Sequence, residues 1–494
     1  MTIPPHRAPG DIGHIGDHND IADVLTGHQA DIASNSNSII SHTTGNDPHG
    51  DRAYANETFS PIDHTHDQAV QSVNGQTGEV SLDADDVGAV SAGVVGLPNG
   101  VAALDANGKV PSGQLPAGGG GTAVVTPRPA LAVVYANGYP TGWRSDIDSL
   151  TFVCSGSGDQ SEINSAISAV TAQGGGDVML AGPQFNLSGS VLMQTGIWLR
   201  GGGFMTELRA STGFEDGMIK LANADVHMIT ISDLFINGAG QAVHGMVIDN
   251  TDGNLGAKPS SSPDSGHVIE RLFVRGTGTS TFAGHGIVIR GNNSRANKLS
   301  TIRMLLTRGC GLWVDNSPDS HYTNIEIGSS GNGGPAVSWS ASAPVGHGFF
   351  IRGGNNMLAN CKSWYSRGDG FVLSSTSRTQ LVNCQSQDNY GYGFEVTGKS
   401  MLTGCEADSN GQAAGAGGLG RAGFHLTTAS VLVAGCMSFD RGGQSWQQQY
   451  GFSVTSGCSR SLITGVTYGN AVGSVTGTPG AGTIVEVVAD SNGK

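Results

Sequence analysis

The residue types that could do chemistry in this 494-residue chain are carboxylates, imidazoles and aromatic rings set at recurring distances. Asp388, Asp408 and Asp440 fall three or four residues after Cys384, Cys405 and Cys436, which would line them up along one edge of a repeat. Two carboxylates flanking a sugar can cleave a glycosidic bond, one as acid and the other as base or nucleophile. Asp315, Asp319, His321 and Glu326 form a second such set. Asp in turns more often serves backbone amides, and neither set has a distinctive catalytic spacing. Asp388, Asp408, Glu326 and Asp319 therefore stand as candidates for a polysaccharide hydrolase or lyase, while the balance leans away from catalysis. Tyr390, Tyr392 and Trp446, among turns rich in Ser and Asn, suit glycan binding.

Two motifs carry other chemistry. In Asp63-His64-Thr65-His66-Asp67 the histidines two apart on an extended segment point the same way. One chain offers too few ligands, but a parallel trimer would gather six imidazoles around its axis, a setting for an octahedral transition-metal ion such as iron. No cofactor for catalysis is expected. Gly393 to Ser400 satisfies the phosphate-loop expression, yet its glycine is a repeat position and Met401-Leu402-Thr403 starts a strand. A phosphate loop needs a helix N-terminus there, so the motif is rejected. Gly201-Gly202-Gly203 and Arg367-Gly368-Asp369 read as ordinary turns.

Composition narrows the elements that could position these groups. Glycine fills 78 positions and charged residues only 13%, against about a quarter in ordinary globular chains. That excludes a coiled-coil rod, an acidic disordered tail and a helical enzyme, and leaves a β-rich chain with many tight turns. The net charge of −15 disfavours nucleic acid. Neither a signal peptide nor a membrane-spanning run is legible, so synthesis in the cytoplasm without membrane insertion is expected. Seven cysteines, an odd number spread over positions 154 to 458, read as free buried thiols.

The organisation changes along the chain. Residues 1–69 hold eight of fifteen histidines, and His14, His18, Ile21, Leu25, His28, Ile32, Asn35, Ile39 and His42 follow steps of 4 and 3, a short heptad seam. Residues 70–121 are short alternating strands with Asn-Gly turns, ending in the linker Gly118 to Gly121. Residues 122–470 read as one domain that repeats from about residue 150: a glycine followed by an apolar residue recurs at 245, 286, 311, 348, 370, 393, 423 and 451, at intervals built on 22 or 23. Ile302, Cys361 and Cys384 each precede such a glycine by nine residues. Units of that length hold three strands and no crossover helix, which predicts a parallel β-solenoid of about thirteen coils with stacked Phe and Cys rows inside. Asp159 to Glu162 reads as a capping box opening a helix near 160–173, stopped by Gly174-Gly175-Gly176, that would cover the first coil. Residues 471–494 read as a tail with room for one strand.

Two stretches carry a family resemblance. VNGQTGEVSLDADDVGA and GVAALDANGKVPSGQLP resemble recurrent segments of bacteriophage tail fibres. The run from Gly158 to Gly203 resembles the start of pectate-lyase-like right-handed β-helices, phage tailspikes among them. The resemblance implies an all-β chain: a right-handed parallel β-helix preceded by an elongated N-terminal stalk with a short coiled coil, in a trimeric fibre. It implies a minor tail protein at the tip of the virion's tail that adsorbs to host cells by binding surface polysaccharide. Its partners would be copies of itself and other tail or baseplate proteins met through the N-terminal region. The alternatives are a depolymerase acting on the β-helix flank and a purely structural tail component.

Overall fold

The computed structural model describes residues 130–140 and 150–489, apart from 212–213, 252, 254–263, 332–345, 375–376, 413–421 and 443–446, together with three single positions before 130. The chain divides into two compact units, Met1–Ala123 and Val124–Lys494. The heptad seam and the His64/His66 pair fall in the first unit, outside the described residues.

The second unit is a solenoid of two parallel sheets, one of 19 strands and one of 11. Three strands make a coil, as in Phe349–Arg352 of the smaller sheet followed by Met357–Ala359 and Lys362–Trp364 of the larger. Each coil lies on the previous one in register, so every inward position becomes a row. One row runs from Leu150 through Ala132, Val178, Leu199, Ile231, Ile269, Leu299, Tyr322, Leu358, Leu381, Leu402, Val433 and Ile463 to Val485. The expected cysteine row is there: Cys361, Cys384, Cys405 and Cys436 continue the line of Leu234, Leu272, Ile302 and Ile325. All seven described cysteines are free and buried, and hydrogen bonding from the adjacent Cys384 thiol, with burial, holds the Cys405 thiol up at about 12. Phe349, Phe371, Phe394, Phe424 and Phe452 stack face to face, their ring centroids 4.4 to 4.9 Å apart.

The repeat glycines are required by space rather than by backbone angle. A Cβ at Gly348 would stand 2.1 Å from Ser363 Oγ, at Gly370 2.0 Å from Ser386 Oγ, and at Gly423 2.0 Å from Ser438 Oγ. Left-handed backbone belongs instead to the corners. Asp233, Arg271, Thr301, Asn324, Asn360 and Asn383 occupy successive coils at the bend of the larger sheet, all with φ between 51° and 59°. Asn and Asp tolerate that region; Arg and a β-branched Thr pay strain for it.

The covering helix is Gln160–Thr171, with Ile163, Ala166, Ile167 and Val170 buried against the end of the solenoid. Its start departs from a capping box. Asp159 makes no side-chain cap, because its carboxylate accepts the amides of Gly156 at 2.8 Å and Asn186 at 2.7 Å and so ties the helix entrance to the second coil. At the other end, Gly473–Thr476 and Ile484–Ala489 both join the sheets, so the solenoid continues past residue 470 with two strands rather than one.

Thr301, exposed in a row that is Asn in the next three coils, marks removable strain. Thr301→Asn is expected to raise unfolding stability by about 1 kcal/mol, read by chemical denaturation; unchanged or lower stability would contradict the corner assignment.

Candidate functional site

The residue before each repeat glycine points out of the smaller sheet, and successive copies form a chain of backbone caps. His244 Nδ1 accepts the amide of His285 at 3.0 Å, His285 Nδ1 that of Cys310 at 2.9 Å, and His347 Nδ1 that of Asp369 at 3.0 Å. Asp369 Oδ1 in turn accepts the amide of Tyr392 at 2.6 Å. An imidazole accepting at Nδ1 is neutral, and burial enforces this by lowering His244 to about 4 and His285 well below its ordinary value.

Beside this row runs the outward row of the same sheet: Val247, Val288, Trp313, Phe350, Val372, Glu395, His425, Ser453 and Thr476. Its first half is apolar, and Val288, Trp313, Phe350 and Val372 are buried together with Cys310. From Glu395 onward it is polar, and there the two rows meet. Burial and the neighbouring Asp369 carboxylate, which shares a hydrogen bond with it, push Glu395 up to about 8, so it carries a proton at neutral pH. The Tyr392 and His425 rings stack at 4.3 Å, only 10° from parallel. His425 Nδ1 stands 3.1 Å from Ser453 Oγ. Burial lowers the His425 pKa, while the Asp369 charge acts in the opposite sense.

These groups open into a cleft of about 500 Å³ lined by Tyr392, His425, Tyr450, Ser453 and residues 454–456 and 476–478. Aromatic faces next to hydroxyls match a sugar, whose C–H faces stack on rings while its hydroxyls exchange hydrogen bonds with Ser and Thr.

The sequence-derived candidates are distributed differently. Asp388 is fully buried and Asp408 is 8% exposed, and both are ion-paired to Arg441. Gln412 Nε2 also donates to Asp388 at 3.0 Å, tying neighbouring coils, and Ser409 Oγ donates to Asp408 at 2.7 Å, so both carboxylates are engaged by neighbouring side chains. Asp440 caps the amide of Gly442. Glu326 lies on the outer face of the larger sheet, accepts Trp364 Nε1 at 2.9 Å and pairs with Arg303 at 3.5 Å. Asp319 occupies a corner with φ 57° and accepts Asn355 Nδ2 at 2.7 Å, Asp315 pairs with Arg352, and His321 opens a strand of the larger sheet. The set does not converge. Tyr392 lies in the cleft, whereas Tyr390 is covered by the Arg367 guanidinium at 4.3 Å. Trp446 falls outside the described residues. Within the rejected phosphate loop, Phe394–Val396 and the following Ser400–Thr403 are both strands. Sequence reasoning missed Asp369, Glu395, His425 and Ser453; the signal available was the residue on either side of the repeat Gly-apolar pair.

Among the described residues no helix is long and apolar enough to cross a membrane. Residues 265–467 match the family model described as the right-handed β-helix region. No curated protein matches the chain. Solved structures similar to it include tailspike protein 2 of an Escherichia coli O157:H7 bacteriophage, at 14% identity and TM-score 0.49, over 62% of this chain and 40% of that one. Another is a tailspike protein of E. coli bacteriophage HK620 in complex with pentasaccharide, at 11% identity and TM-score 0.45, over 67% of this chain and 61% of that one. A mannuronan C-5 epimerase A-module of Azotobacter vinelandii aligns at 15% identity and TM-score 0.43, over 68% of this chain and 97% of that one. The chain thus covers less than two thirds of either tailspike.

The proton on Glu395 gives a measurable signature. The unfolded chain releases it near the ordinary 4.5 and the folded protein near 8, so its contribution to stability is complete below 4.5 and fades as pH rises through 8. Glu395→Gln keeps the shape without the titration, so the variant's thermal midpoint should gain on the native one between pH 5 and 9. A constant difference across that range would contradict the shared proton. Residues 265–467 are thus a right-handed parallel β-helix.

Proposed function

We propose that the protein is a bacteriophage minor tail protein of the tail-fibre or tailspike type, which adsorbs the virion to its host by binding a surface glycan in the cleft between Tyr392, His425 and Tyr450. The observation that carries this reading is the cleft itself: aromatic rings and hydroxyls gathered on the outer face of a rigid β-helix, where the preceding stretch from Val288 to Val372 is packed with buried apolar side chains. The resemblance of residues 70–121 to phage tail-fibre segments supports the tail location and the docking on other tail proteins through the N-terminal region. The heptad seam supports a homotrimer, in which three weak sites gain avidity on a repetitive polysaccharide.

Stacking on a ring contributes about 1 kcal/mol, or roughly fivefold in affinity. Tyr392→Ala and Tyr450→Ala should each weaken binding to purified host-surface glycan by about that factor and the pair by more, measured by calorimetry on the full chain. Native affinity in the double variant would show that the cleft is not the site.

His64 and His66 hold the expected transition-metal ion on the trimer axis in the same proposal. Six imidazoles around one ion should make trimer stability metal-dependent. A strong chelator, or His64→Ala with His66→Ala, is expected to lower the dissociation temperature of the trimer in light scattering; a trimer indifferent to both would remove the metal.

A further inference from the structure

Ser453 and His425 are consecutive members of the outward row of the smaller sheet, held one above the other by parallel pairing. The Ser453 hydroxyl and His425 Nδ1 are at hydrogen-bonding distance, 3.1 Å, and both side chains line the open cleft. The imidazole is clamped by Tyr392 on one face, so its orientation is fixed before any ligand arrives. Asp369, itself fixed by the Tyr392 amide, adds a negative charge that favours an imidazolium. A hydroxyl beside an oriented, neutral imidazole, with a carboxylate in electrostatic range, is the arrangement that activates a serine nucleophile. Thr455, Ser456, Thr476 and Thr478 line the same cavity and carry the hydroxyls an oxyanion there would need as donors.

We infer that Ser453 and His425 form a hydrolytic centre that removes O-acyl groups from the glycan held in the cleft. The substrate class rests on the glycan-binding reading of the same cleft. In the first step Ser453 Oγ bonds to the acyl carbonyl carbon and its proton passes to His425 Nδ1. The carbon–oxygen bond to the sugar then breaks, and the sugar oxygen takes that proton. Water attacks the acyl-serine in the same way, releasing the carboxylic acid and restoring the hydroxyl. Nothing is oxidised or reduced, and water is the only co-reactant.

Because an activated serine reacts with phosphonylating agents and aryl esters in the absence of glycan, the test does not depend on the host ligand. The native full chain is treated with a fluorophosphonate and digested for mass spectrometry, and turnover of 4-nitrophenyl acetate is followed in parallel. The expected result is a single phosphonylated peptide containing Ser453, a burst of nitrophenol, and loss of both in Ser453→Ala. His425→Ala should slow labelling by about 100-fold, with the thermal midpoint of each variant checked against the native protein. Absence of label on Ser453 in the native protein overturns the inference outright, and it does so without a variant that must fold. Glycan binding without labelling would leave the adsorption reading standing and this one refuted; labelling without glycan binding would keep the esterase centre and refute the adsorption reading.

Discussion

The whole structure depends on one constraint: a parallel coil laid on another in register puts each side chain directly over its counterpart. Inside, that is favourable for like on like. Five phenylalanines stack with each ring within 4.9 Å of the next, and four thiols share one row, because a residue that fits one coil fits the next. Where the coils press closest the same constraint removes the side chain altogether. At Gly348, Gly370, Gly423 and Gly451 a Cβ would meet an inward Ser or Thr hydroxyl of the neighbouring sheet, and at Gly245, Gly286, Gly311 and Gly393 it would meet a backbone carbonyl or a packed side chain such as Ile327.

Buried polar groups are the cost of so tight a tube, and they are satisfied by repetition too. Asn389 donates to Ser363 O and Ser386 Oγ while its own amide is accepted by Asn410, and Asn410 repeats the pattern with Ser386 O and Gln448. A buried amide side chain that makes all its bonds rigidifies the corner; left unpaired it would destabilise it by about 1 to 3 kcal/mol. The ion pairs of Arg441 with Asp388 and Asp408 belong to this system of coil-to-coil ties. Asp388 and Asp440 share one position, which is Ser409 in the coil between them, and Asp408 lies one residue earlier in its strand, so the acidic spacing that looks catalytic is not a single row.

The periodic part of the fold was legible for this reason. A row is a set of like residues at a fixed spacing, so Gly393-Phe394 and Cys384 announced their coil positions without any structure. The covering helix was legible from its apolar stripe, Ile163, Ala166, Ile167 and Val170. What the sequence could not convey is which face an alternating residue meets. Glu395 and His425 look like any polar alternation after Phe394 and Phe424, and nothing in that alternation distinguishes the stretch of this face where Trp313 and Phe350 are buried from the stretch where His425 and Ser453 line a cleft. Likewise Asp369 hides in an Arg-Gly-Asp turn, and its role as acceptor for the Tyr392 amide depends on a coil 23 residues away.

The same repetition explains why chemistry appears where the rows change character. From Val247 to Val372 the outward row of the smaller sheet is apolar, and the cap row beside it includes His244 and His285, which burial keeps neutral. At Asp369 the cap becomes a carboxylate, and one coil later Glu395 replaces Val372 in the outward row. A negative charge is thereby placed next to a second carboxyl group in a half-buried setting, and the cheapest resolution is to keep the second one protonated. That arrangement leaves one negative charge for the following imidazole, His425, rather than two, and keeps the site from becoming an acidic patch that water and cations would fill. A solenoid tolerates such a break because each coil contacts only its neighbours, so departures confined to coils 369 to 476 cost nothing to the rows inside. The inner Phe row passes beneath the cleft unbroken from Phe371 to Phe452. The core carries the fold continuously while the surface above it is free to differ, and that separation lets a tube of repeats present a single site.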